Sequence, residues 1–155
     1  VATIIQGQQL RLVEYGFQVL KTAQALPQTA TATLFTVTGG RVIITSLVGT
    51  VSTAIQNQAC TLALGTVPTT GTASSTGIAT ATSIQNLEAG THLYLPQTKG
   101  ALTVNANAGA AAQLFAGAAY VVSAGTISWT TSASNTGNVS WALTYIPMDT
   151  GAAVS

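Results

Sequence analysis

The ten residues NVSWALTYIP, Asn138 to Pro147, alternate without a break: Val139, Trp141, Leu143 and Tyr145 fall on one parity, Ser140, Ala142 and Thr144 on the other. A helix scatters such a set around its axis, whereas a pleated strand puts every second side chain on one face. The same alternation recurs in TISWTT, where Ile127 and Trp129 alternate with Ser128 and Thr130. Thr, Val and Ile dominate much of the remaining chain, and these residues fit a half-buried pleated surface. A chain so patterned is constrained to antiparallel sheets with one dry face and one hydroxyl-rich face. The expected fold is therefore all-β, an antiparallel β-sandwich.

Turn chemistry divides the chain into strands. Gly39-Gly40 in LFTVTGGRVIIT reads as a two-residue hairpin turn, since glycine supplies the positive φ that primed turns need. That register sets Val37 opposite Val42 and Phe35 opposite Ile44 on the core side, with Thr36 opposite Ile43 and Thr38 opposite Arg41 outside. A second hairpin is expected around the polar loop SASNTGN, with Trp129 and Trp141 both pointing inward. Further strands are expected at Gln56 to Leu64, Gly77 to Ser83, Thr91 to Leu95, Ala101 to Val104, Gln113 to Phe115 and Ala119 to Val122. Leu10, Val13, Phe17 and Leu20 fall at helical spacing, but Gly16 interrupts them and no convincing cap precedes them. The expectation there is an extended N-terminal arm, residues 1–21, ahead of a single sandwich domain, residues 22–155.

Only 5% of the 155 residues are charged, with four Lys and Arg against three Asp and Glu. Soluble domains usually carry about 25%. Near-neutrality removes the self-repulsion that keeps copies apart, so the composition favours self-association. No apolar run approaches the roughly 18 residues of a bilayer span, so no membrane partner is expected. The opening VATIIQGQQLRL lacks a basic block followed by an apolar one, and no retained secretory signal is expected. The single cysteine, Cys60, excludes an internal disulfide and reads as a core thiol.

Reactive constellations are scarce. A Ser, His and acid trio would have to use His92, the one histidine, with Glu88 or Asp149, and no nucleophile motif accompanies them. Three scattered acids, Glu14, Glu88 and Asp149, do not suggest a paired-carboxylate mechanism. One Cys and one His cannot assemble a zinc site, and no calcium loop is present. Phosphate-binding glycine loops are missing, so no cofactor is expected. Arg11, Lys21, Arg41 and Lys99 are dispersed, so no nucleic-acid partner is expected either. Tyr94, Tyr120, Tyr145 and the two tryptophans could stack on sugars, but their alternation assigns them to a core.

The succession ALPQTATATLFTVTGGRVIITSLVGTVSTAIQ, then QACTLALGT, then TASSTGIATATSI, and finally AGTISWTTSASNTGNVSWALTYIPMDTGAAV, resembles small structural proteins encoded beside the major capsid protein of tailed bacteriophages. The likeness runs from about Ala25 to Val154. It implies a head decoration or cement protein with a jelly-roll or related sandwich, assembled as a trimer or less often a dimer on the outer capsid surface. Its partners would be the major capsid protein and other copies of itself, without enzymatic activity. The alternative within the same resemblance is a fibre, spike or tail component that binds host glycans through exposed loops.

On this reading residues 1–21 reach over the shell or a neighbour, and Arg11, Glu14 and Lys21 supply ion pairs. The outer side of the expected Gly39-Gly40 hairpin would be covered by a neighbour, with Ile43 and Leu47 as its contact residues. Replacing Ile43 with Lys is expected to leave the protomer folded and lower its oligomeric mass in light scattering. An unchanged mass would remove Ile43 from the contact.

Overall fold

A computed structural model describes residues 6–96, 98–112 and 119–155. These residues form one short helix, α1 (Gly7–Tyr15), followed by the strands β1 (Phe17–Ala25), β2 (Thr31–Thr38), β3 (Val42–Thr53), β4 (Thr61–Pro68) and β5 (Ser74–Ser83). Then come β6 (His92–Tyr94), β7 (Thr103–Val104), β8 (Tyr120–Val122), β9 (Gly125–Thr131), β10 (Asn138–Pro147) and β11 (Ala153–Val154). These strands build two sheets packed face to face. The first has the order β1-β10-β3-β6-β7, with β8 beside β6 on the same edge of β3; the second has the order β11-β2-β9-β4-β5. Every pairing between these strands is antiparallel. The expected all-β sandwich is thus present, and its strands match the expected segments to within several residues. Gln113 to Phe115 lies outside the described residues.

The alternation in β10 does what its pattern dictates. Val139, Trp141, Leu143 and Tyr145 are buried, and they meet Phe35, Leu62, Leu64, Ile127 and Trp129 of the second sheet in one core. Trp129 and Trp141 lie edge to face, with centroids 5.9 Å apart and planes at 87°. That geometry sets the positive edge of one ring against the negative face of the other. Directly opposite Trp141 on β3 is Gly49, and a Cβ there would come within 2.9 Å of the indole ring. Cys60 is buried, as its neighbours suggest, with Sγ 3.4 Å from the Ala133 carbonyl oxygen.

Neither expected hairpin forms. β2 belongs to the second sheet and β3 to the first, so Gly39-Gly40 carries the chain from one layer to the other. The pairing that a two-residue turn would have closed is taken by the end of the chain: Thr38 pairs with Ala153, and Val37 with Val154. Arg41 is tied to the same segment, because its carbonyl accepts the Met148 N–H at 2.9 Å. Both glycines do have positive φ, 73° and 145°, as a primed turn would require. Their role is nonetheless close approach, since a Cβ on Gly39 would lie 2.2 Å from the Gly151 carbonyl oxygen and one on Gly40 2.6 Å from Asp149 Cβ.

The loop between β9 and β10 likewise crosses layers. It is not merely an exposed tip: Asn135 is buried, and its side-chain nitrogen donates to the Gln58 carbonyl at 3.1 Å. Its own carbonyl accepts a hydrogen bond from the Gln28 side chain at 2.9 Å. Local turn rules cannot see such ties, which depend on segments 77 and 107 positions away in sequence.

The N-terminal expectation also needs correction. Residues 7–15 are helical rather than extended, and the segment ending at Lys21 is not a separate arm, because β1 runs through it and pairs with β10 from Phe17 to Ala25. Gln9 accepts the Gln6 N–H at 3.1 Å and closes the first turn. Gly16 ends the helix at φ 86°, where a Cβ would stand 2.2 Å from the Tyr145 carbonyl oxygen. The glycine that argued against a helix through Leu20 is the one that lets a shorter helix stop and turn into a strand.

A methyl group at Gly49 has no room beneath the indole. Gly49→Ala is expected to destabilise the protein by about 1–3 kcal/mol, the usual cost of overpacking, measured by urea unfolding.

Candidate interaction surface

The residues expected at a contact do not share one environment. Ile43 sits on the outer face of β3, half-buried, between Ile146 of β10 and Val121 of β8. Leu47 does not face outward at all: it is fully buried at 0% exposure between the sheets. The reason is a bulge. Thr144 pairs with Ser46 and Tyr145 with Ile44, so Thr45 is an extra residue and the parity of β3 reverses after it. Simple alternation from Ile43 therefore assigns Leu47 to the wrong face.

The same bulge anchors α1. Thr45 Oγ1 donates to the Tyr15 carbonyl at 2.9 Å, while the hydroxyls of Thr45 and Ser46 lie 2.8 and 2.6 Å from Thr144 Oγ1. Arg11 and Glu14 are both on α1 and exposed. Glu14 hydrogen-bonds the Tyr15 phenol and pushes its pKa upward. Lys21 is elsewhere in character: its ammonium lies over the ring of Phe35, 5.8 Å from the centroid, so it closes the open side of the core.

The surface that remains is apolar and nearly free of ions. Leu10, Leu12 and Val13 on α1 are exposed, as are Phe17 and Leu20 on β1, with Val13 at 77% and Leu20 at 67%. None of the nine residues of α1 is buried. Helices shorter than about 12–15 residues are marginal in isolation, and this one is held at its ends, by Gln9 at the first turn and by Thr45 at Tyr15. Between α1 and the first sheet lies a hollow of about 250 Å³ lined by Arg11, Tyr15, Gln18, Val48 and Ala142. It adjoins a second of about 300 Å³, lined by Leu20, Thr22, Thr50 and Ser140 and sharing Val48 and Ala142. Together they make a trough floored by small side chains. The helical spacing of Leu10 and Val13 was the sequence signal for this surface.

The groups weighed for catalysis are engaged separately. His92 Nδ1 lies 3.1 Å from Thr50 Oγ1 at the start of β6. A Glu88 oxygen accepts the Ala108 N–H at 2.6 Å. Asp149 is held by Arg41, through the backbone N–H at 2.7 Å and through Nε and an end nitrogen of the guanidinium at 2.9 and 2.7 Å. Among the described residues no three of His, Cys, Asp and Glu come together as a metal site would require. Comparison of the chain with protein-family models, curated proteins and solved structures finds no match.

The Arg41 clamp has a pH signature. Its hydrogen bonds from the guanidinium and the backbone lower the Asp149 pKa to about 2, below the roughly 3.9 of an unperturbed Asp. A depressed folded-state pKa contributes stability above the unfolded value, and this is lost as pH falls through the folded one. Wild-type thermal midpoints should therefore fall between about pH 4 and pH 2 by more than those of Asp149→Asn, which lacks the titrating group. Parallel curves for the two proteins would deny the clamp any part in acid stability.

Proposed function

We propose that this chain is a virion structural protein, a decoration protein that binds the outer surface of a phage head and stabilises it by contacts with the major capsid protein and with copies of itself. The observation that carries the reading is the exterior of α1 and β1: Leu10, Val13, Phe17 and Leu20 stand in solvent on a helix that buries nothing and on the edge strand that follows it. Such a surface gains most from being covered by protein, and with so few charges the contact depends weakly on salt. Each contact is modest and is repeated at every lattice position, so binding to the particle exceeds the affinity of one site.

The strand order supports a jelly-roll description. β1 pairs with β10, β2 with β9, β3 with β6 and β4 with β5. This is the pairing of one long antiparallel ribbon rolled into two sheets, an architecture that viral capsid and lectin domains use. Architecture alone assigns no activity, and the separate engagement of His92, Glu88 and Asp149 favours a non-enzymatic role.

One observation favours the second reading, attachment to host glycans. A hollow of about 360 Å³ opens among Ile55, Asn86, Leu87, Glu88, Thr91 and Asn107, and the buried Thr91 hydroxyl has no hydrogen-bond partner among the described residues. The Asn86, Glu88 and Asn107 side chains around the hollow are of the kind that bond sugar hydroxyls.

The decisive experiment uses heads of the encoding phage assembled without this chain. Wild-type protein is expected to sediment with them, and Leu10→Glu/Val13→Glu, with an unchanged thermal midpoint, to bind at least tenfold more weakly, a loss of about 1.4 kcal/mol. Absence of wild-type binding to heads, with retention on a glycan array, would transfer support to the second reading.

A further inference from the structure

We propose that the free edge of β1 pairs with the β1 of a second copy, antiparallel about a two-fold axis at Leu20, so that two first sheets join into one. The inference deepens the self-association in the reading above and does not depend on the capsid.

β1 hydrogen-bonds to a neighbour on one side only, β10. The other sheet edges are short or partly occupied: β7 and β11 have two residues each, and β5 carries a bridge from Thr80 to Ala101. β5, at ten residues, is the other long edge, but its Thr80 N–H is taken by the Gly100 carbonyl and its pairing with β4 shifts register twice. At nine residues β1 is the long edge to which no segment bonds on the outer side among the described residues. An open edge is a template for another strand unless it is guarded by a proline, a charge or a bulge. There is no proline in β1, and its one charge, Lys21, is turned inward over Phe35. The bulge lies between Lys21 and Gln24, so Phe17 to Lys21 are unguarded and only Thr22 and Ala23 of the paired stretch fall within it.

Side-chain chemistry selects the register. Opposed residues of an antiparallel pair share a face, so a two-fold axis must pass through a residue pair of one kind. Centring on Lys21 would oppose two ammonium groups, which is destabilising. Centring on Leu20 sets the most exposed apolar side chain of the strand, at 67%, against its own copy, with Gln18 facing Thr22 and Val19 facing Lys21. No like charges then meet. Centred on Leu20, the ladder runs from Phe17 to Ala23, roughly 23 Å of strand, and the two layers with their side chains are about 20 Å deep. The contact therefore covers roughly 450 Å² on each copy, or about 900 Å² in all, the range of weak and transient interfaces. A concentration-dependent dimer follows, isologous as closed two-fold contacts are.

Leu20→Cys tests it. The opposed Cα atoms would be about 4.5–5.5 Å apart, within disulfide reach. Mild oxidation should convert most of the variant into a covalent dimer, while Val13→Cys, more exposed but remote from the axis, should remain largely uncrosslinked. Leu20→Lys should raise the dimer dissociation constant at least tenfold in light scattering. If copies associate but Leu20→Cys crosslinks no better than Val13→Cys, edge pairing is wrong and self-association uses another surface. If the wild type is monomeric at every concentration, this proposal fails and so does the self-association it rests on, while sedimentation with heads still reports on capsid binding.

Discussion

The contact between Trp129 and Trp141 is the joint on which the two layers turn. Each indole comes from the middle of a strand in a different sheet, and the edge-to-face arrangement lets two large rings share a space where flat stacking would force the sheets apart. That arrangement requires Gly49 opposite Trp141, because any side chain there would occupy the volume of the ring. β3 and β10, which carry these two residues, are paired from Val42 to Thr53 and form the spine of the first sheet. β1, β6 and β8 attach to that spine, and α1 is fastened to it through Thr45.

The ends of the spine are fixed by the chain terminus. Arg41 and Asp149 hold the start of β3 against the exit of β10, and β11 then seals the edge of β2 where a hairpin would otherwise have formed. This is the only salt bridge among the described residues, and both partners are partly exposed. Isolated exposed pairs contribute little stability. Here the geometry matters more, because the carboxylate also accepts the Arg41 backbone N–H and so sets where the chain changes layers.

A protomer with so few ions fills its interior easily and leaves its exterior to hydroxyls, amides and scattered apolar groups. On most of the surface that mixture is unremarkable. At α1 and β1 it is not, because a helix with no fully buried residue and an open strand edge follow one another in the chain and both expose large apolar side chains. The histidine and the two acids of the body of the chain, His92, Glu88 and Asp149, are engaged with different partners.

The sequence by itself determined the strands and what they bury. Alternation in β9 and β10 marks both tryptophans as core. It did not determine which strands share a sheet. Gly39-Gly40 specifies a backbone conformation that serves a hairpin and a crossing between layers equally well, and the choice falls to Asp149 and the segment after it, more than a hundred residues away. Nor could alternation place Leu47, because the bulge at Thr45 exists only once Thr144 pairs across it. Periodicity is a property of neighbours along the chain and is legible there. Sheet membership, bulges and open edges are decided by which distant segments compete for the same hydrogen bonds, and only the tertiary structure resolves that competition.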